Sequence, residues 1–351
     1  MIPLAVAALV ATFVAWAATR SYIRYAVSRG VLDVPNERSS HQIPTPRGGG
    51  IVIAAAFLLG IGVLAAAGLV PLRQLVALAG GGAIVAAVGY ADDHRPVPPW
   101  WRLVIHTAAA AWLVWWLGPG TVPATDSVLG LGLFGDVLAL LYVIWLINLT
   151  NFMDGIDGLA SGEAISVALG GTVLFVASTA PVRESGPVLV LAGACLGFLA
   201  WNWPPARIFM GDVGSGFVGF SLAAVTLHAG ERSLPVFWGL VILMGVFIVD
   251  ATWTLLRRLL RGERVYQAHR SHGYQIAAAR AGSHRHVTLA VLAINLFWLL
   301  PMAVLVTVRW VAPLPAIVIA FMPLVAAALV LGAGGAGVPP TTESAAARPP
   351  H

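Results

Sequence analysis

Residues 134–177 read FGDVLALLYVIWLINLTNFMDGIDGLASGEAISVALGGTVLFVA, two apolar runs joined by a short polar stretch. The first run, Phe134 to Ile147, is interrupted only by Gly135 and Asp136, and the second extends from Ala164 to Ala177. With their flanks, both approach the ~20 residues an α-helix needs to cross a bilayer. Between them Asn148, Asn151, Asp154 and Asp157 recur at every third residue. On an α-helix that series drifts by about 60° per step, whereas a three-residue turn stacks it on one side; Gly155 and Gly158 permit such a break. A carboxylate at the centre of a membrane helix costs roughly 2.5 to 3.5 kcal/mol, so Asp154 and Asp157 belong at an aqueous end or in a polar cavity. Amide and carboxylate oxygens gathered on a short turn suit a hard cation such as Mg²⁺, although a plain polar loop between spans reads the same way.

The same character extends outward over the whole chain. Of 351 residues, 59% are hydrophobic and 10% charged, with a mean hydropathy of +0.86. A soluble domain is about 25% charged, so composition specifies an all-α polytopic membrane protein. Eleven apolar segments follow, at about 2–22, 49–69, 74–91, 103–118, 133–149, 162–180, 187–203, 214–230, 234–256, 287–308 and 313–332. The first has no basic residue before Arg20, so it is expected to be an uncleaved anchor with its N-terminus outside. Eleven spans then leave the C-terminus in the cytoplasm. Residues 1–332 are expected to form one integral-membrane catalytic domain and 333–351 a disordered cytoplasmic tail. The single Cys195 can form no internal disulfide.

All twenty basic residues are Arg. A pI near 10.0 would suggest nucleic acid as a partner, but the arginines flank spans, so no nucleic acid is expected. On the eleven-span topology sixteen of them face inward and four, Arg73, Arg183, Arg232 and Arg309, face out, the expected positive-inside bias. Trp100, Trp101, Trp115, Trp116, Trp201 and Trp203 sit near span ends as interface anchors, and Gly193 with Gly197 forms a GxxxG suited to close helix contact.

Five polar clusters all fall on the cytoplasmic face of that topology: DVPNERSSHQIPTPRGGG (33–50), ADDHRP (91–96), NLTNFMDGIDG (148–158), PPARIFMGDVGSG (204–216) and RRLLRGERVYQAHRSHGYQ (257–275). Asp92 and Asp93 are neighbouring carboxylates that can act as a base or hold a cation, or simply solvate a helix end. In FMGDVGSG the glycines let backbone N–H groups approach an anion at a helix start, with Asp212 able to bind a metal between them and a pyrophosphate; a common turn is the alternative. Arg47 with Gly48 to Gly50 reads as a phosphate-binding bend or as a flexible lead into the second span. His269, Arg270 and His272 suit a diphosphate, with zinc as a rival because His284 and His286 follow. Asp250, inside an apolar span, is either a site residue or a buried structural carboxylate. A site that combines carboxylates, a hard-metal position and a basic loop suits transfer of a phosphorylated group between a soluble nucleotide and a lipid phosphate.

Taken together, DxPxxRxxHxxPTPRGGG, ADD, NxxNFMDGIDGLA, FMGDxGSG and HRSHxYQ resemble the polyprenyl-phosphate N-acetylhexosamine-1-phosphate transferases, over residues 30–280 and in that family's order. The resemblance implies an 11-span enzyme of the bacterial cytoplasmic membrane, its active site facing the cytoplasm. It would move a HexNAc-1-phosphate from a UDP-N-acetylhexosamine to undecaprenyl phosphate, release UMP and initiate cell-envelope glycan synthesis. It implies Mg²⁺ as cofactor, with Mn²⁺ as substitute, and is compatible with a homodimer. Asp212 and Asn151 would be the metal ligands, with Asp154 competing for the second place. Asp92, Asp93 and Asp154 would form the catalytic carboxylate group, and Asp157, Arg47, His269, Arg270 and His272 would contact substrate. HRSHGYQ lacks the consecutive histidines of the peptidoglycan branch and resembles O-antigen-initiating relatives that use 6-deoxy-N-acetylhexosamines. Two rivals carry distinct expectations. A secondary transporter would place midplane charges in two pseudo-repeated halves. A CDP-alcohol phosphotransferase would follow Asp-Gly with Ala-Arg, which DGLASGEAIS lacks.

Overall fold

A computed structural model describes residues 2–35, 43–118, 133–264 and 269–335. Arg38, His41 and the tail from residue 336 lie outside the described residues. The described chain is a helical bundle with one two-residue hairpin. Long apolar sequences form helices here because a lipid-exposed backbone must satisfy its own N–H and C=O groups. In order the elements are α1 (Ile2–Arg29), β1 (Leu32–Asp33), β2 (Thr45–Pro46), α2 (Gly50–Ala66), α3 (Leu72–His94), α4 (Pro99–Leu117) and α5 (Leu133–Met153). They continue with α6 (Leu159–Ala177), α7 (Gly186–Asn202), α8 (Gly211–Arg232), α9 (Leu234–Leu243), α10 (Gly245–Leu260), α11 (Gly273–Ala281), α12 (His284–Ile294), α13 (Leu300–Thr307) and α14 (Pro313–Leu331).

Every one of the eleven apolar segments lies on a helix or on a helix pair. Among the described residues eight helices are long and apolar enough to cross a membrane, and a ninth span results if α9 and α10, bent by 63°, count as one. The bend falls at Met244, inside a run that sequence reads as uniformly apolar. Helix α2 has 17 residues and is short for a span. In α4, Arg102, His106 and five tryptophans dilute the hydropathy. Helices α12 and α13 join through a π-helical turn, Asn295–Leu299, into one long span.

Helix α8 is the axis: every residue from Val213 to Gly230 is buried. Helices α2, α3, α5 and α9 pack around it, and α7 also touches it. Small residues set these distances. A Cβ on Gly50 would stand 2.1 Å from the Gly214 Cα, so α2 and α8 cross backbone against backbone at the start of both helices. The GxxxG of α7 has the same role against α1, where Cβ atoms on Gly193 and Gly197 would meet the carbonyls of Ala8 and Thr12 at 2.2 Å. The first crossing brings the α8 N-terminus beside Arg47 and the end of α3, and the functional side chains gather there.

Candidate active site

The last turn of α3 points its two neighbouring carboxylates in different directions, because successive residues on a helix are about 100° apart. Asp93 turns inward and its side chain is fully buried. Its Oδ1 accepts from the Asp212 backbone N–H at 3.0 Å, and its Oδ2 from the Val213 N–H at 3.1 Å. The Arg47 guanidinium donates to Oδ1 as well, from Nη2 at 2.8 Å and Nε at 3.2 Å. The anion expected at the start of the FMGDVGSG helix is therefore supplied within the chain: the free amides of the first turn and the positive end of the α8 dipole are taken by Asp93. Gly211, at φ 73°, makes the turn that aims those amides.

The bend 46–50 is spoken for in the same way. Phe209 N–H donates to the Pro46 carbonyl at 2.8 Å, and the N–H groups of Gly49 and Gly50 donate to Phe209 and Met210. Burial works against the charge on Arg47, but Asp93 beside it, with Asp212 and Asp33 further off, holds its pKa above the ordinary value. The Arg47 side chain is 31% exposed, so part of it remains open to solvent.

Asp92 turns toward α4. Its Oδ1 accepts from Val97 N–H at 2.6 Å and its Oδ2 from Arg102 Nη1 at 3.1 Å. The same Arg102 nitrogen donates to Asp212 Oδ2 at 2.9 Å, so one guanidinium bridges two carboxylates that come from residues 120 apart in sequence. Sequence reasoning treated Arg102 only as a basic residue flanking a span. A charge directly after the Trp100–Trp101 pair, eight residues on from His94, was the available signal. On its other oxygen Asp212 accepts from Asn151 Nδ2 at 2.9 Å, and that amide also reaches Ser215 Oγ at 3.0 Å.

Asn151 occupies the last turn of α5, which ends at Met153 before the break at 154–158. The expected stack of four residues on one side does not form: Asn148 donates back to the Ile144 carbonyl of its own helix and lies apart from the cluster. Asp154 stands at the break, partly buried; burial, with Asp212, Asp93 and Asp157 adding to it, pushes its pKa up to about 8. Asp157 ties loops together. Its Oδ2 accepts from Ala206 N–H at 3.0 Å, its Oδ1 lies 3.3 Å from His284 Nδ1, and its carbonyl accepts from Thr288 at 2.9 Å.

The histidine loop packs against the turn that follows Asn151. Asp250 accepts from the N–H groups of Gly273 and Tyr274 at 2.9 and 2.8 Å and contacts His272 Nδ1 at 3.3 Å, so the carboxylate is the structural anchor of α11. His272 stacks between His269 and Tyr274, with ring centroids 4.9 and 5.7 Å away, and Phe152 lies 6.2 Å from it. Tyr274 donates its hydroxyl to the Phe152 carbonyl at 2.9 Å, which fastens the loop directly to the Asn151–Asp154 turn. Arg270 is half-buried nearby. Burial, then the charges on His272 and Arg258, pull the His269 pKa down to about 3, leaving a neutral ring at physiological pH.

Asp92, Asp93, Asn151, Asp154, Asp212, Arg47 and Arg102 thus converge, with His269 and His272 beside them at the same end of the bundle. Among the described residues no three His, Cys, Asp or Glu side chains already form a metal-holding group, and His284 is engaged with Asp157 rather than gathered into a zinc-like set.

Comparison with known proteins places the chain in a family. The Glycosyl transferase family 4 profile matches residues 75–230, the stretch from α3 through α8. A Bacillus subtilis (strain 168) protein named "Probable undecaprenyl-phosphate N-acetylglucosaminyl 1-phosphate transferase" is 29% identical over 303 residues, covering 84% of this chain and 83% of its own. The decaprenyl-phosphate N-acetylglucosaminephosphotransferase of Mycobacterium tuberculosis (strain ATCC 25618 / H37Rv) is 30% identical over 327 residues, 82% and 79% of the two chains. A phospho-N-acetylmuramoyl-pentapeptide-transferase of Gloeothece citriformis (strain PCC 7424) is 33% identical over 181 residues, 47% of each.

Proposed function

Since the chain belongs to the polyprenyl-phosphate N-acetylhexosamine-1-phosphate transferases of glycosyl transferase family 4, we propose that it transfers HexNAc-1-phosphate from a UDP-sugar to undecaprenyl phosphate. The observation that carries this reading is the meeting of Asp92, Asp154, Asp212 and Asn151 with Arg47 and Arg102 beside the histidine loop. A phosphate of the lipid and the diphosphate of the donor both need cations, and a surplus of carboxylates needs a further one.

The donor set suits Mg²⁺. It consists of carboxylate and amide oxygens without a thiol, the preference of a small hard dication. Arg102 already bridges Asp92 and Asp212 as a cation would. Asp212 and Asn151 would hold the ion, with Asp154 as the adjoining carboxylate. When bound, it supplies charge neutralisation for the diphosphate.

In the reaction an oxygen of the lipid phosphate forms a bond to the sugar-linked phosphorus. The bond from that phosphorus to the bridging oxygen breaks, and UMP leaves with the electron pair. A phosphate monoester has its second pKa near 6, so at neutral pH it is largely dianionic and needs no strong base. Asp92 therefore acts by positioning, through the Arg102 it shares with Asp212. Arg47, fixed on Asp93, presents its exposed part to phosphate, and His269, Arg270 and His272 receive the donor. His269 can do so only as a neutral donor or acceptor. Asp157 positions the 204–206 loop against the 154–158 turn and reaches the nucleotide side of the cleft.

The site opens at the cytoplasmic face of a bacterial inner membrane, as the arginine bias supports, with eleven spans as the topology and residues 1–332 as one catalytic domain. The transporter reading finds no support among the relatives. The test is a panel of UDP-HexNAc donors, GlcNAc and 6-deoxy sugars included, with undecaprenyl phosphate and Mg²⁺ and the protein in nanodiscs. UMP and polyprenyl-diphospho-HexNAc should appear in equal amounts. Release of CMP from a CDP-alcohol, or label flux without lipid product, would refute the assignment.

A further inference from the structure

Outside the carboxylate cluster, Trp16, Trp201, Trp203, Pro204, Pro205 and Arg207 line a cavity of about 380 Å³ between α1 and the end of α7. Its aromatic wall is held in place: Trp201 donates its indole N–H to the Trp16 carbonyl at 3.0 Å, and the two rings lie 6.3 Å apart. The Arg207 guanidinium sits 5.8 Å over the Trp201 ring. Arg20 is one turn on from Trp16 on the same face of α1, Arg24 one turn further, and both are exposed. In the opposite direction that face is apolar: the Phe13 ring lies 6.0 Å from that of Trp16, tilted by 35°, and Phe13 and Leu9 are 67% and 68% exposed.

The sequence of surfaces is therefore a hydrocarbon strip, an indole-walled pocket and then guanidinium groups. Indoles settle at the level of the headgroups in a bilayer, and arginines just beyond it face the phosphates. A soluble anion would use the arginines but leave the apolar strip uncovered. A zwitterionic headgroup would bring an ammonium up to Arg207, and among the described residues no acid lines the pocket to receive it. We propose that this pocket binds a bilayer phospholipid of net negative charge, its phosphate between Arg20 and Arg207 and an acyl chain along Phe13 and Leu9. The bound lipid also braces the site, because the loop that carries Arg207 gives Ala206 N–H to Asp157 at 3.0 Å. This assignment stands independently of the transfer reaction.

The experiment is native mass spectrometry of the full chain, titrated with phosphatidylglycerol or phosphatidylcholine, comparing wild type with R20Q/R207Q. Both arginines are exposed, so the double variant keeps its fold. One surface arginine near lipid phosphate is worth about fivefold, so phosphatidylglycerol affinity should fall roughly 25-fold in the double variant with phosphatidylcholine unchanged. R309Q, at an exposed arginine elsewhere, should leave both lipids unaffected. Unaltered phosphatidylglycerol binding in R20Q/R207Q would overturn the proposal, as would an equal loss in R309Q. Displacement by inorganic phosphate at matching concentration would show a free-anion site instead, and much stronger competition by undecaprenyl phosphate would show a substrate site; either result also overturns it.

Discussion

Replacing Asp93 with Asn separates the two neighbouring carboxylates of α3. Asp93 accepts four hydrogen bonds, three on Oδ1 and one on Oδ2. An Asn keeps a single oxygen, so at best it retains Arg47 and the Asp212 amide and turns its NH₂ toward the Val213 N–H. A stranded buried donor costs about 1–3 kcal/mol. Loss of the negative charge at the α8 N-terminus removes a further ~0.3–1 kcal/mol. Loss of the Arg47 pair adds to that, discounted because the guanidinium is 31% exposed. Together these give about 3 kcal/mol. Asp92→Asn keeps the Val97 bond and weakens one contact with Arg102, about 1 kcal/mol. For a chain of 351 residues each kcal/mol shifts Tm by roughly 1.5 °C, so D93N should melt about 4 °C below wild type and D92N much closer to it. Differential scanning fluorimetry in nanodiscs, with UMP release measured on the same samples, reads both effects. D92N should lose turnover while keeping its Tm. If D93N melts with wild type and loses only turnover, the clamp described above is wrong and Asp93 acts in the chemistry.

Three further outcomes follow from the same geometry. Asp154 has its pKa raised from 3.8 to about 8, so between those values the folded protein holds a proton that the unfolded chain has released, and stability falls as pH rises through that window. In EDTA, D154N should therefore match wild type near pH 4, exceed its Tm at pH 8 and show a flatter pH profile; parallel profiles would refute this. Activity should vanish in EDTA and return with Mg²⁺ or Mn²⁺ but not with Zn²⁺, given an all-oxygen donor set; failure of Mg²⁺ to restore turnover would count against the cation position. Asp250→Asn should release α11 from its anchor, raise KM for the UDP-sugar about tenfold and expose residues 269–275 to protease, whereas unchanged KM would show that the histidine loop needs no such support.

The helices were legible because membrane-length apolar runs leave few alternatives, and each of the eleven segments has a helical counterpart. The 63° bend at Met244 was not, since a broken span and a straight one have the same hydropathy. The polar clusters pointed to a common end of the bundle, yet their division of labour was hidden. Asp92 and Asp93 are identical in sequence character, and only the direction each leaves α3 makes one a clamp for α8 and the other a partner of Arg102. The partners of Arg102 were hidden because both come from other helices, and spacing alone did not separate Asn148 from Asn151, which the family resemblance singled out, because a period of three does not reveal which residue faces α8.

That division explains how a membrane protein can concentrate negative charge where its anionic substrates must enter. Carboxylates alone would repel both phosphates, and arginines alone would bind them without leaving room for a dication. Here Asp93 is consumed by the backbone of α8 and by Arg47, so its charge is already balanced. Asp92 and Asp212 share one guanidinium, which leaves a net deficit of positive charge on that pair, and burial with the neighbouring carboxylates raises the pKa of Asp154 beside them. The unbalanced charge is thus centred on Asp212 and Asn151, with the Arg47 side chain, paired to Asp93, beside them. Because Tyr274 fastens the histidine loop to Phe152, one residue from Asn151, any shift of the carboxylate turn moves the donor-binding surface with it. The two halves of the site are therefore coupled through the Phe152 carbonyl and through the contact of the Phe152 ring with His272.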